Sequence, residues 1–529
     1  MPKILVTDPL SEQGLAQLFE AKDMEVVLKV GIPAAEIIEI IGDYDALLVR
    51  SQTKVTADII AAGKNLKVIG RAGVGVDNID VRAATKAGIL VINAPDGNTI
   101  TTAEFTFAMM MALVRHIPQA THSLLDGRWE RNKFVGAELR DKVLGIVGLG
   151  RIGAEVAKRA QAFSMQVIAY DPFLTAARAE KLGVKAGTLD EVITQADFIT
   201  VHTPLTKETH HLIGEKELSR MKKGVRIINC ARGGIIDEMA LCKALDDGIV
   251  AGAAFDVFEK EPPVDHPLLS YPQVIATPHL GASTHEAQIN VAVDVAGGVV
   301  QLLRGGVYPH TVNLPSLAPE VRQQVQPFAD LGEVLGSFAA QVMQQGVQSV
   351  RIQYDGEPAQ QQVDPITRAI LKGVLQHHYG EEVHLISVAL IAEEMGIDVS
   401  ETKGPRHQTY GNHIRVQLAG ETETVSVAGT YIKGLGVRIV EINGYPLDIS
   451  PSEFMVTTWH NDVPGIIGNV GSVLGKAGIN IASMQVGRSQ EGGQALMAIA
   501  VDRAVADDDV KAIAQTQGIL RVKYIELPL

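Results

Sequence analysis

Lys142-Val143-Leu144-Gly145-Ile146-Val147-Gly148-Leu149-Gly150-Arg151-Ile152-Gly153 decides how this chain is read. An apolar, β-branched run leads into three glycines at Gly-x-Gly-x-x-Gly spacing, and residues 154–162 then carry helical spacing. In such a strand–turn–helix unit the first glycine permits the turn and the second lets backbone approach a pyrophosphate. The third lets helix pack closely on strand. The helix N-terminus adds N–H groups and the positive end of its dipole. The next strand, 166–170, runs into Asp171, at the separation where an acid accepts hydrogen bonds from an adenosine ribose. A carboxylate there repels a 2′-phosphate and no arginine directly follows it, so NAD is expected rather than NADP.

Working outward, strand candidates at 198–201, 225–229, 252–255 and 274–277 continue the sheet. Upstream, runs at 4–6, 46–49, 67–69 and 89–92 alternate with helical segments at 11–20, 33–41 and 56–62. This βαβ rhythm implies parallel sheets with helices on their faces. Two doubly wound α/β lobes are therefore expected, with an apolar helix from Thr101 to His116 crossing between them and a helix at 284–303 returning. Pro315-Ser316-Leu317-Ala318-Pro319 reads as a linker. Residues 320–452 give mixed α+β signals, and 454–527 give the βαββαβ order of a small ferredoxin-like domain. The expected divisions are 1–98 with 284–314, 99–283, 315–452 and 453–529.

A chain of 529 residues is too long for one core. Its 46% hydrophobic and 20% charged content is that of a globular protein. A net charge of −14 leaves no basic surplus for nucleic acid, though a few arginines suffice for a small anion. Cys230 and Cys242 are too few for a disulfide framework, which fits a reducing compartment and makes the cytoplasm the expected location. Met1-Pro2-Lys3 runs into a strand with no apolar leader, and the apolar stretch 105–114 is about half a membrane span, so no membrane partner is expected. No metal site is read.

Oxidising an alcohol by hydride transfer requires a base for the hydroxyl proton and a cation to hold a neighbouring carboxylate. His279 follows a strand end, and Glu261, before Pro262-Pro263, is placed to accept from one imidazole nitrogen and fix the ring. Arg232, after another strand end, can grip a carboxylate with two parallel hydrogen bonds. Ligands of open α/β sheets bind outside the carboxyl ends of the strands, where all three stand.

Gly148–Gly153 with Asp171, Asn229-Cys230-Ala231-Arg232-Gly233-Gly234, Phe255-Asp256-Val257-Phe258 with Glu261-Pro262, and Pro278-His279-Leu280-Gly281-Ala282 resemble the D-isomer-specific 2-hydroxyacid dehydrogenases over residues 1–314. The resemblance implies that Arg232 binds the substrate carboxylate, Glu261 tunes His279, and His279 shuttles the proton. It further implies Asp256 at the nicotinamide carboxamide, with Arg151, Ile152, Thr203, Cys230, Ala231 and Gly281 also at the dinucleotide. Arg50-Ser51 and Arg71-Ala72-Gly73-Val74-Gly75 follow front-lobe strands, and a glycine-rich turn with extra arginines suits a phosphate. With Asp77-Asn78-Ile79-Asp80 they resemble the phosphate-recognising branch of that family, in which Arg131 matches a phosphate contact lent across a dimer. That branch oxidises D-3-phosphoglycerate to 3-phosphohydroxypyruvate on the way to serine. The alternative is another D-2-hydroxyacid, or reduction of glyoxylate or hydroxypyruvate. An NAD-sensing corepressor is disfavoured by the intact Arg/Glu/His set.

Trp459-His460-Asn461-Asp462-Val463-Pro464-Gly465, with Asn480, resembles an ACT regulatory domain. By that resemblance His460, Asp462 and Asn480 contact serine, and paired ACT domains imply a homodimer or homotetramer. Residues 315–452 resemble the intervening domain of the long members, which carries a possible anionic effector.

Overall fold

The computed structural model describes residues 1–529 except 316, 318, 381, 382 and 408. Ser316 and Ala318 of the expected linker therefore lie outside the described residues. The front lobe holds five parallel strands in the order Glu25–Leu28, Lys3–Val6, Ala46–Val49, Val68–Arg71, Leu90–Asn93. This is the flavodoxin-like order, whose switch point lies between the first and third strands of the chain. Glu25–Leu28 has no counterpart among the sequence-derived strands; it is the edge strand of the sheet, and its side chains are half-exposed. The returning helix His285–Leu303 seals one face, packing Val291, Val295 and Val299 with Ile4, Val6, Leu48 and Ile92. Each such aliphatic side chain contributes roughly 1.5–3 kcal/mol when fully buried.

The second lobe is a seven-stranded parallel sheet, Val274–Ala276, Val250–Phe255, Val225–Asn229, Phe198–Val201, Val143–Val147, Gln166–Tyr170, Lys185–Ala186. Order reverses between Phe198–Val201 and Val143–Val147, which opens a crevice at their carboxyl ends. Helix Thr99–Val114 packs Ala103, Met110 and Leu113 beneath the sheet. It starts before the expected Thr101, so Thr99 and Thr102 lie in its first turn. It also stops before His116, which takes a left-handed φ of 52° ahead of the separate helix Ile117–Leu125.

The third sheet, Asp398–Gly404, Ser349–Gly356, Asn412–Ala419, Thr424–Ile432, Gly436–Ile442, Tyr445–Ile449, is antiparallel except for its first pair. Helices Pro319–Val342 and Asp364–Tyr379 cover it. The last sheet, Ile481–Arg488, Gln494–Val501, Phe454–Asn461, Ile519–Glu526, has ferredoxin-like order. One of its faces packs on its own helices through Val470 and Ile513. The other places Met455, Leu496 and Ile525 in one core with Phe338 and Ile442 of the third sheet's unit. The third unit docks on the front lobe through Lys86–Glu394 at 2.8 Å and Arg82–Glu394 at 3.4 Å. Among the described residues no helix is long and apolar enough to cross a membrane.

Candidate active site

His279 stands just past the strand Val274–Ala276 with a left-handed φ of 55°, a conformation costly for a residue with a β-carbon. Asp256, at the end of the neighbouring strand and 1% exposed, holds the turn in place. It accepts from Thr277 Oγ1 at 2.6 Å and from the N–H groups of Leu280 and Gly281, both at 2.7 Å. The His279 N–H donates to the Asp256 carbonyl at 2.9 Å. Burial pushes the Asp256 carboxyl up, against the pull of those donors and of His279.

Nδ1 of His279 meets Glu261 Oε2 at 2.9 Å, which leaves Nε2 for the cleft. Glu261 Oε1 accepts the Phe258 N–H at 3.2 Å. Burial alone would raise the Glu261 carboxyl, but the hydrogen bond and charge of His279, with Phe258 and Arg232, hold it below its ordinary range. The loop carrying Glu261 lies directly on the turn carrying Arg232. A β-carbon on Gly233 would sit 2.0 Å from the Phe258 carbonyl, so only glycine allows this approach. Asn229, fully buried, fixes the same turn by accepting from Ala231 N–H at 3.1 Å and donating to the Arg232 carbonyl at 2.9 Å.

Arg232 and His279 share one cavity of about 500 Å³ between the lobes with Gly150, Arg151, Ile152, Thr203, Cys230, Ala231, Asp256 and Gly281. A second concavity of about 280 Å³, between Leu302, Tyr308, Val325 and Ala369, has mainly apolar walls and no histidine. The chemistry belongs to the interlobe cleft.

The cleft fits a dinucleotide. Gly148 has φ 93°, and a β-carbon there would lie 2.6 Å from the His202 carbonyl at the switch point. A β-carbon on Gly153 would lie 2.2 Å from the Gly148 carbonyl, whereas one on Gly150 would meet nothing within 4 Å. Backbone is thus bare where a pyrophosphate needs to approach it. Asp171 accepts the Leu149 N–H at 2.9 Å and the Phe173 N–H at 2.8 Å, leaving further lone pairs beside the turn. Asn98 Oδ1, Thr99 Oγ1, Thr102 Oγ1, His202 Nδ1 and Thr203 Oγ1 are buried atoms in cavity-lining residues that have no hydrogen-bond partner among the described residues. Buried polar atoms are rarely left so, and a polar ligand supplies what they lack. Burial holds the His202 imidazole down to about 4, so it is neutral at pH 7.

Of these, Asn98, Thr99, Thr102 and His202 escaped the sequence reading, as did Arg178, which donates to the Leu149 carbonyl at 3.1 Å. The only signals were polar residues at a helix start and a strand end.

On the front lobe, Val74 and Gly75 line the cavity, while Arg50, Ser51, Arg71 and Gly73 sit outside its wall. Buried Asp8 shapes the Arg50 turn by accepting the Arg50 N–H at 2.7 Å and the Gln52 N–H at 3.0 Å. Arg71 donates to Asn78 Oδ1 at 3.1 Å. Burial, then the neighbouring Arg232 and Arg50 charges, bring Arg71 down to about 10 against the opposing pull of Asp77 and Asp8. Arg131, exposed in the short helix Arg131–Phe134, takes no part in this cavity.

In the last domain the three effector candidates do not converge within one chain. His460, 2% exposed, pairs with Ala495 at one end of its strand pair, while Ile481, next to Asn480, pairs with Val501 at the other. Asp462 accepts from Arg488 at 3.4 Å and from the Gly492 N–H at 3.2 Å, whereas Asn480 donates to Asp502 at 2.7 Å. The sheet register separates them.

Hydride chemistry on a 2-hydroxyacid needs little beyond what meets in this cleft, and fold and cleft together define an NAD-dependent 2-hydroxyacid dehydrogenase. Family models match in sequence: D-isomer specific 2-hydroxyacid dehydrogenase, NAD binding domain, at 107–281; D-3-phosphoglycerate dehydrogenase intervening domain at 324–443; and ACT domain at 454–517. The D-3-phosphoglycerate dehydrogenases of Bacillus subtilis (strain 168) and Methanocaldococcus jannaschii are 49% and 45% identical, with 100% of each chain covered. The chain belongs to the D-3-phosphoglycerate dehydrogenase family. Among solved structures, D-lactate dehydrogenase from Aquifex aeolicus complexed with NAD and lactic acid aligns with TM-score 0.53 at 29% identity. A glyoxylate reductase from Paecilomyes thermophila aligns with TM-score 0.55 at 31% identity. These cover 59% of this chain and 100% and 98% of theirs, respectively.

Proposed function

We propose that the chain oxidises D-3-phosphoglycerate to 3-phosphohydroxypyruvate with NAD, supplying a precursor of serine. The carrying observation is the His279–Glu261 pair at 2.9 Å, with its second imidazole nitrogen sharing a cleft with Arg232. Arg232 holds the substrate carboxylate, which brings the neighbouring carbinol to His279. His279 Nε2 takes the hydroxyl proton, and ionised Glu261 supports the imidazolium that forms. Bound NAD supplies the hydride acceptor. Asp256 keeps the His279 turn rigid and offers Oδ2 to the cleft, and Asn98, Thr99, Thr102 and Thr203 bring polar atoms that a ligand satisfies. Arg50 and Arg71 attract the phosphate, joined by Arg131 of a second copy.

In this reading residues 1–98 with 284–314 form the substrate lobe and 99–283 the NAD lobe. Residues 315–452 form the intervening domain and 453–529 the ACT domain. Because one chain keeps Asn480 apart from His460 and Asp462, a serine site using all three forms between two ACT domains, which favours a dimer or tetramer. Two buried free thiols fit a reducing compartment such as the cytoplasm.

The test is kcat/KM on a panel of phosphorylated and unphosphorylated D-2-hydroxyacids. Arg50→Ala is expected to erase roughly 10- to 100-fold of the advantage of phosphoglycerate and to spare unphosphorylated substrates. An unchanged preference would refute the phosphate assignment.

A further inference from the structure

Two arginines at this cleft are each held across the lobes by an aspartate. Arg232 Nε donates to Asp77 Oδ2 at 3.2 Å, joining the cofactor lobe to the front-lobe turn. Arg151 Nη1, on the glycine-rich turn, donates to Asp96 Oδ1 at 2.5 Å, joining the same lobes at the crossover. The partners are not incidental, because these are the two guanidiniums at which ligand anions belong. Arg232 faces the substrate carboxylate, and Arg151 stands where a pyrophosphate meets the helix N-terminus.

We infer that Asp77 and Asp96 are internal stand-ins for the two ligand anions, each competing for one arginine and yielding it when substrate or dinucleotide enters. The inference rests on the reading that Arg232 grips the substrate carboxylate. Packing concentrates the competition. A β-carbon on Gly75 would lie 2.0 Å from Arg232 Nη2 and 2.6 Å from Asp77 Oδ2, so backbone, acid and guanidinium crowd one spot. Displacement is easy because both acids are well exposed, at 67% for Asp77 and 58% for Asp96. Exposed ion pairs are weak in water, which suits a contact that must break in every turnover. A buried pair would hold the arginine too tightly to release it. Asp77 also screens the Arg50–Arg71–Arg232 cluster, so small bystander anions are held less firmly than a substrate offering both carboxylate and phosphate. The two acids are positioning residues that act through the arginines they face, with Asp96 Oδ2 also 3.8 Å from His310 Nε2.

The prediction is ligand-specific. In the full-length enzyme, Asp77→Asn is expected to lower KM for D-3-phosphoglycerate about two- to fivefold and to leave the calorimetric Kd for NAD unchanged. Asp96→Asn is expected to do the converse, lowering the Kd for NAD by a similar factor and sparing the KM for hydroxyacid. Asp77→Glu and Asp96→Glu, which keep the charge, should restore the original values. Either asparagine variant raising the constant of its own ligand, or leaving it unmoved, would overturn the inference. Arg232→Ala separates this from failure of the underlying reading. If that variant keeps its KM, the carboxylate grip itself is wrong. If its KM rises more than tenfold while Asp77→Asn has no effect, only the stand-in role fails.

Discussion

Two of the histidine–glutamate pairs in the cofactor lobe have nearly equal length and opposite surroundings. His279 and Glu261 meet at 2.9 Å with their side chains 50% and 39% exposed. His266 and Glu238 meet at 2.8 Å with theirs 17% and 4% exposed. His266 is saturated, since Nε2 faces Glu238 and Nδ1 accepts the Leu268 N–H at 3.3 Å. Glu238 in turn accepts the Glu259 N–H at 2.8 Å, tying down the loop that carries Glu261. His279 uses one nitrogen and keeps the other for the cleft. In the proposed mechanism the same chemical pair serves as a clamp where both nitrogens are engaged and as a proton shuttle where one is spare.

The largest effect separating the pairs is on turnover. His279→Gln is expected to cut kcat by roughly 100- to 10,000-fold while NAD affinity, measured by calorimetry, holds. A comparable loss in His266→Gln would erase the distinction. Stability runs the other way. His266→Ala breaks a buried pair and is expected to cost about 3–5 kcal/mol in denaturant unfolding, with kcat of the folded fraction kept. His279→Gln should leave the unfolding midpoint nearly in place.

The smallest effect is in acid, and its sign differs between the pairs. Glu261 is held below the ordinary value of 4.5, so its contribution is complete above that pH and is lost as pH falls through the lowered value. Burial raises Glu238 above 4.5, so the folded chain binds that proton more tightly, and stability is lost as pH rises through the raised value. Melting temperatures from pH 3 to 6 should show the gap between the unsubstituted enzyme and Glu261→Gln narrowing as pH falls below 4.5. For Glu238→Gln the gap should narrow as pH rises. Parallel slopes would contradict the contrast.

Much of the proposed catalytic pair was legible in the sequence because its signals are local. Glycine spacing after an apolar run locates Gly148, Gly150 and Gly153, and strand ends locate Arg232 and His279. The strand Lys185–Ala186 was not legible, because a two-residue edge strand has no periodicity. Asn98, Thr99 and Thr102 read as an ordinary helix start, and their unpartnered atoms acquire meaning only where the lobes meet. Asp77 and Asp96 lie 155 and 55 residues from the arginines they hold, a pairing no local pattern encodes. In the last domain His460 and Asp462 stand together along the chain, whereas strand register puts Asn480 at the other end of the sheet, a separation that linear spacing does not show.

The most direct test of the central claim is a double-mutant cycle on kcat/KM joining Glu261→Gln and His279→Gln in the full-length enzyme. If Glu261 works only by holding the imidazole, the double variant loses no more than His279→Gln alone. Losses that multiply would mean that the two side chains act independently, and the shared device described here would be wrong.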